Sequence, residues 1–153
     1  MSKKLLIKIF DRALNKVKAK SIINDNIKLD KSILKIIDKR IDLNKGGNLY
    51  IFAIGKAAFL MAKECEKILG DKIKDGLAIS NSKGNLKYIK HFTSTHPKVS
   101  EKSLKAGNLL LKKVKKLDKK DRFIFLLSGG ASAMIEKPID GLNLDDFTKI
   151  SKA

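Results

Sequence analysis

Several things are scarce in this sequence, and each scarcity excludes something. Cysteine occurs once, as Cys65, so no intramolecular disulfide can form, and a lone thiol suits a reducing compartment. No window approaches the roughly 18 uninterrupted apolar residues of a membrane span. The first ten residues are interrupted by lysine and offer no small-residue cleavage site, which argues against secretion. Together these features predict a cytoplasmic protein without a membrane segment. No cluster of His, Cys, Asp and Glu has metal-ligand spacing, so no structural metal is expected. The spacings G-x-x-x-x-G-K-[ST], G-x-G-x-x-G and G-x-S-x-G are all missing, which removes the Walker loop, the dinucleotide fingerprint and the hydrolase elbow. No linker or internal repeat divides the chain.

What is present fits one ordinary α/β domain. The length is 153 residues and 43% are hydrophobic, enough to bury a core. Acidic residues number 16 against 34 basic ones, for a net charge of +18. Arginine occurs only at Arg12, Arg40 and Arg122, so 31 of the 34 basic residues are lysine. They are spread along the whole chain and accompanied by abundant Ile and Asn. A nucleic-acid reader concentrates arginine for bidentate contacts. The pattern here suits a biased, solvated surface instead, although its field still attracts small anions.

Apolar spacing sets the expected order of elements. Leu6, Phe10, Ala13 and Val17 form a helical stripe within residues 3–20. Residues 30–41 read as a second helix capped by Asp30 or Ser32. After a turn at Lys45–Asn48, Leu49–Ile54 is a continuous apolar run, as in a parallel strand covered on both faces. Ala58, Ala62, Cys65 and Leu69 then mark a helix that Gly70 can end, and they put Cys65 in the core. Leu77–Ser80 and Tyr88–Thr95 read as strands, the latter ended by His96-Pro97. Residues 100–117 read as a helix, Phe123–Leu127 as a second buried strand, and Asn143 as the cap of a last helix. This alternation predicts an open, mostly parallel sheet with helices on both faces, Rossmann-like in architecture.

Two segments share one layout: a buried strand, then glycine, then a helix start. Ligands of open α/β sheets bind beyond the carboxyl ends of the strands, where helix N-termini favour anions. In Gly55-Lys56-Ala57-Ala58, the lysine can neutralise a phosphoryl group or a carboxylate, or simply be solvated after a tight turn. In Ser128-Gly129-Gly130-Ala131-Ser132, two hydroxyls and two glycines make an oxyanion cradle, or a structural turn. His96 can contact substrate or act as acid or base, or be a loop histidine beside proline. His91 has no feature that singles it out.

The order Ile54-Gly55-Lys56-Ala57-Ala58, then Thr95-His96-Pro97, then Leu127-Ser128-Gly129-Gly130-Ala131-Ser132-Ala133, Pro138 and Asn143-Leu144 resembles the amino-terminal part of the two-domain bacterial glycerate 2-kinases and their hydroxypyruvate-reductase-like relatives. The resemblance implies transfer of phosphate from ATP, with Mg²⁺, to the 2-hydroxyl of D-glycerate. It implies that Lys56 stabilises charge in the active site. It assigns Gly55 and the Ser128–Ser132 loop to a substrate or phosphate cradle, with His96 near the same cleft. It also implies that residues 1–153 are the amino-terminal part of the first domain, with the C-terminal domain absent. The enzyme would then be truncated or split, its cleft completed by a partner chain or a homo-oligomer. The alternative reading is a sugar-phosphate-binding module of the sugar-isomerase type, without catalysis.

Overall fold

The computed structural model describes residues 2–150. Helix α1 (Lys3–Val17) is capped by Ser2, whose hydroxyl accepts from the Leu5 N–H. The helix expected over 3–20 is broken at Lys18, where ψ is 142°, and α2 (Ala19–Asn26) follows.

Residues 30–41 are not helical, which corrects the sequence reading. They belong to a three-stranded antiparallel meander: β1 (Ile27–Asp30), β2 (Ile33–Ile36) and β3 (Lys39–Asp42). Ile27 pairs with Ile36, and Leu34 with Leu29 and Ile41. The expectation failed because the two hairpin turns carry no turn signature. Lys31 and Ile37 take positive φ, at 53° and 55°, where Gly or Asn is usual. For β-branched Ile37 this conformation is strained.

The main sheet has four parallel strands in the order β6-β5-β4-β7. These are β4 (Leu49–Ile54), β5 (Ile73–Ser80), β6 (Lys90–Thr93) and β7 (Arg122–Leu127). Helix α3 (Ala58–Leu69) connects β4 to β5, and α4 (Glu101–Val114) connects β6 to β7. Side chains alternate along β4 as strand geometry demands. Ile51 and Ala53 face α3 and the small sheet, packing with Ala62, Cys65, Ile27 and Leu34. Phe52 and Ile54 face α4, packing with Ala106 and Met134. Helices therefore lie on both faces of β4, as expected, but β7, expected as a second buried strand, is an edge strand that exposes Phe123, Phe125 and Leu127 on one face. Cys65 is fully buried, and burial pushes its thiol up to about 12.

The chain continues as one turn of helix, α5 (Ala131–Met134), and as α6 (Leu144–Ile150). Asn143 caps α6 reciprocally: the Asp146 N–H donates to its Oδ1, and its own N–H donates to Asp146 Oδ2. Among the described residues, no helix is long and apolar enough to cross a membrane.

Candidate active site

The order in which strands are added to the sheet reverses at β4. From β4 the path moves outward to β5 and β6, and then α4 carries it back across the sheet to β7, on the other side of β4. The turns that leave β4 and β7 therefore diverge to opposite faces of the sheet. A crevice opens between them beyond the carboxyl ends, where open α/β sheets place their ligands. Gly55-Lys56 and Ser128–Gly130 both lie at this point.

The two turns are stitched together. Ser128 N–H donates to the Ile54 carbonyl at 2.9 Å, and Lys56 N–H to the Gly129 carbonyl at 3.0 Å. The Ser128 hydroxyl accepts from the Ala57 N–H at 3.0 Å and donates to the Ile54 carbonyl at 3.4 Å. That hydroxyl is committed to holding the turns together, a task its place in the motif does not reveal. Gly55 makes the approach possible. Its φ is 117°, and a Cβ there would sit 2.3 Å from the Ser128 carbonyl oxygen. No L side chain fits.

Beyond this seam the cradle is open. The N–H groups of Gly129 and Gly130 make no hydrogen bond among the described residues. Gly130 is left-handed, with φ 87°, and successive donors at such a bend form an anion-binding concavity. Lys56 is exposed, and its stem reaches over this loop. Its Cγ lies 3.3 Å, and the His96 Cδ2 and Nε2 lie 2.7 and 2.9 Å, from where a Gly130 Cβ would be. The ammonium has no ion pair or hydrogen bond among the described residues. Residues 55–57, 95–98 and 128–132 contain no acid, so the concavity is electropositive.

Lys56, His96, Gly129 and Gly130, from three separated stretches, thus meet at one place. Ala131 begins α5, and Ser132 is exposed on it. With only one turn, α5 adds little dipole to the cradle.

A hydroxyl network behind the site was missed in the sequence reading. Thr95 Oγ1 bonds the Ser100 hydroxyl at 2.6 Å, and the Ser103 hydroxyl donates to the Ala133 carbonyl at 2.7 Å. Ser94 likewise donates to the Met134 carbonyl at 2.7 Å. These bonds fix the His96 strand end against α5. The Ser100…Ser103 capping box of α4 was the available signal. His91 also has a role: its Nδ1–H donates to the Gly84 carbonyl and its Nε2 accepts from the buried Ser80 hydroxyl, both at 2.9 Å. It ties down the loop after β5. Glu66 holds the same loop by accepting three N–H bonds, from Lys87, Tyr88 and Ile89.

The chain is therefore a doubly wound α/β unit with an electropositive, glycine-lined concavity at its switch point. The family described as "Domain of unknown function (DUF4147)" matches residues 5–153, and this chain belongs to it. The chain is 34% identical over 106 residues to the D-glycerate 2-kinase of Thermotoga maritima, covering 67% of this chain and 25% of that protein. It is similar in structure to a glycerate kinase of Thermotoga maritima (TM-score 0.79, 27% identity) and to a Pyrococcus horikoshii protein of known crystal structure (TM-score 0.88, 26% identity). Each superposition covers 98% of this chain and 34% of the other. The chain thus spans between a quarter and about a third of the length of these relatives.

Proposed function

We propose that the chain supplies the phosphate-handling part of an ATP-dependent glycerate 2-kinase acting on D-glycerate in the cytoplasm. The observation that carries this reading is the convergence of Lys56, His96 and the Gly129-Gly130 donors on one electropositive concavity, in a chain similar to glycerate 2-kinases. Phosphoryl transfer needs little covalent chemistry from the protein; it needs positioning and charge neutralisation. Lys56 would sit against the transferring phosphoryl group and offset the charge on its oxygens. The Gly129 and Gly130 N–H groups would hold oxygens of the same group or of its neighbour. Gly55 and Ser128 would keep the two turns in register, Ala131 and Ser132 would border the cradle, and His96 would contact the substrate at its rim.

Among the described residues, no group of three carboxylate, histidine or thiolate side chains can hold a cation. Mg²⁺ would arrive on the phosphates of ATP, its common mode of binding, and the residues named here would act on the phosphates themselves. In this reading residues 1–153 are the amino-terminal part of a glycerate-kinase-like domain, and a partner chain or a second copy completes the cleft. The uncovered Phe123, Phe125 and Leu127 on one face of β7 support a completing segment.

The test is ATP-dependent formation of phosphoglycerate by the purified chain, alone and mixed with a second chain carrying the remaining length of a glycerate kinase. The expected result is product in the mixture, abolished by Lys56→Ala. Product that is unchanged by Lys56→Ala would overturn the role of Lys56. Binding of sugar phosphates with no response to ATP or glycerate would favour the sugar-phosphate module instead.

A further inference from the structure

Beside the cradle lies a cavity of about 500 Å³, bounded by the segment after His96, by α5 and by α6. Pro97 and Ser132 line it, and they follow His96 by one residue and Gly130 by two in the chain. Pockets that bury drug-sized molecules measure roughly 300–1,000 Å³, so this one is far larger than a three-carbon acid requires. Its walls are mixed in a particular way. Val99, Ala133 and Phe147 supply apolar surface, and the Phe147 side chain is aromatic. Glu136 supplies a carboxyl with no hydrogen bond or ion pair among the described residues. Burial pushes that carboxyl up from the usual glutamate range. Lys98 supplies a cation.

We infer that this cavity is the nucleoside subsite of the phosphoryl donor: it takes the purine and ribose of ATP, while the triphosphate runs past Ser132 to Lys56 and the Gly129-Gly130 donors. The inference rests on the kinase reading above and adds to it which end of the site receives which substrate. A purine stacks on an aromatic face. An acceptor carboxyl in reach suits a ribose hydroxyl, the partner such acids take in other nucleotide sites. Glycerate, being small and anionic, gains nothing from Phe147 or Glu136 and is left to the cradle itself.

The test separates the two ends. Adenosine, tripolyphosphate and D-glycerate are titrated individually into the 153-residue chain and followed by saturation-transfer NMR and amide-shift mapping. Adenosine is expected to move the amides of Val99 and Phe147. Its affinity should fall about tenfold in Phe147→Ala, the range for loss of one stacking partner, and less in Glu136→Gln, with tripolyphosphate affinity unchanged in both. Phe147→Leu keeps the apolar contact of α6 and should still weaken adenosine, which separates loss of stacking from loss of the helix. The inference is overturned if adenosine does not bind, if its shifts fall elsewhere, if both variants bind it unchanged, or if glycerate moves these amides in its place. Tripolyphosphate binding without adenosine binding would remove this subsite and leave the kinase reading intact. Adenosine binding in the cavity without a Lys56-dependent tripolyphosphate response would do the reverse.

Discussion

Helices α1 and α3 have nearly the same apolar spacing and opposite fates. In α3, Ala58, Met61, Ala62, Cys65 and Leu69 are buried between the main sheet on one side and α2 with the small sheet on the other. In α1 no residue is buried, and Phe10 and Val17 stand 62% and 66% exposed. Periodicity therefore reports the helix and not its partner: a stripe says which side wants cover, and topology decides whether cover is present. The same contrast divides the strands. Central β4 is apolar and covered on both faces, whereas edge β7 leaves Phe125 and Leu127 45% and 65% exposed. The best-packed elements, β4 and α3, are those that frame the Gly55-Lys56 turn. This gives the cradle a rigid base.

The largest effect is expected at that base. Gly55→Ala places a Cβ against the Ser128 carbonyl at a positive φ, and should cost on the order of 3 kcal/mol or more in urea unfolding. A fully tolerated alanine would mean that the two turns are not stitched in solution. Next comes the helix comparison itself. Leu69→Ala in α3 should cost about 2–5 kcal/mol, and Phe10→Ala in α1 no more than roughly 0.5 kcal/mol. Equal losses, measured in the same denaturant series, would show that α1 has found a partner that the isolated chain does not reveal.

A smaller effect concerns acid. The Asp118 and Asn48 N–H groups donate to the Asp121 carboxylate and lower its pKa, and the Asn44 N–H and the Ser32 hydroxyl do the same for Asp42. A carboxyl whose folded pKa is depressed favours the folded state when ionised. That contribution is present above the ordinary value of 3.8 and is lost as pH falls through the folded value. Asp121→Asn should therefore flatten the acid limb of the stability curve without altering its neutral plateau beyond the lost bonds; an unchanged acid limb would refute this origin. The smallest effect is chemical. With its thiol pushed up to about 12, Cys65 should resist alkylation at pH 8 until the protein is unfolded. Rapid labelling of the native chain would show that α3 opens locally.

Much of this arrangement can be read from the residues. The runs Leu49–Ile54 and Phe123–Leu127 are strands because they are apolar without interruption, and the glycines after them mark the site. The small sheet was not legible, because its turns use Lys31 and Ile37 where Gly or Asn would announce a hairpin. The elements also ended differently from their patterns. Leu77–Ser80 starts earlier, at Ile73, and the strand expected over Tyr88–Thr95 is confined to Lys90–Thr93. At the site, Lys56, His96 and the Ser128–Ser132 loop were identifiable as candidates, but their meeting depends on the strand order β5-β4-β7, which no local pattern encodes. Phe147 and Glu136 could not be singled out at all. They carry no motif and face the same cavity only because α6 folds back beside the His96 segment.

The central claim is that Lys56 and the Gly129-Gly130 donors form an anion cradle rather than an ordinary turn. The most direct measurement is calorimetric titration of tripolyphosphate into the wild-type chain, Lys56→Ala and Lys102→Ala, at two salt concentrations. Lys102 belongs to the lysine-rich outer face of α4 and serves as the control for general charge. The account predicts a roughly tenfold or greater loss in Lys56→Ala, the scale of one charge-assisted hydrogen bond, and little change in Lys102→Ala. Equal, salt-sensitive losses in both variants would contradict it, reducing the attraction to the net charge of +18 and leaving the glycine loop a structural turn.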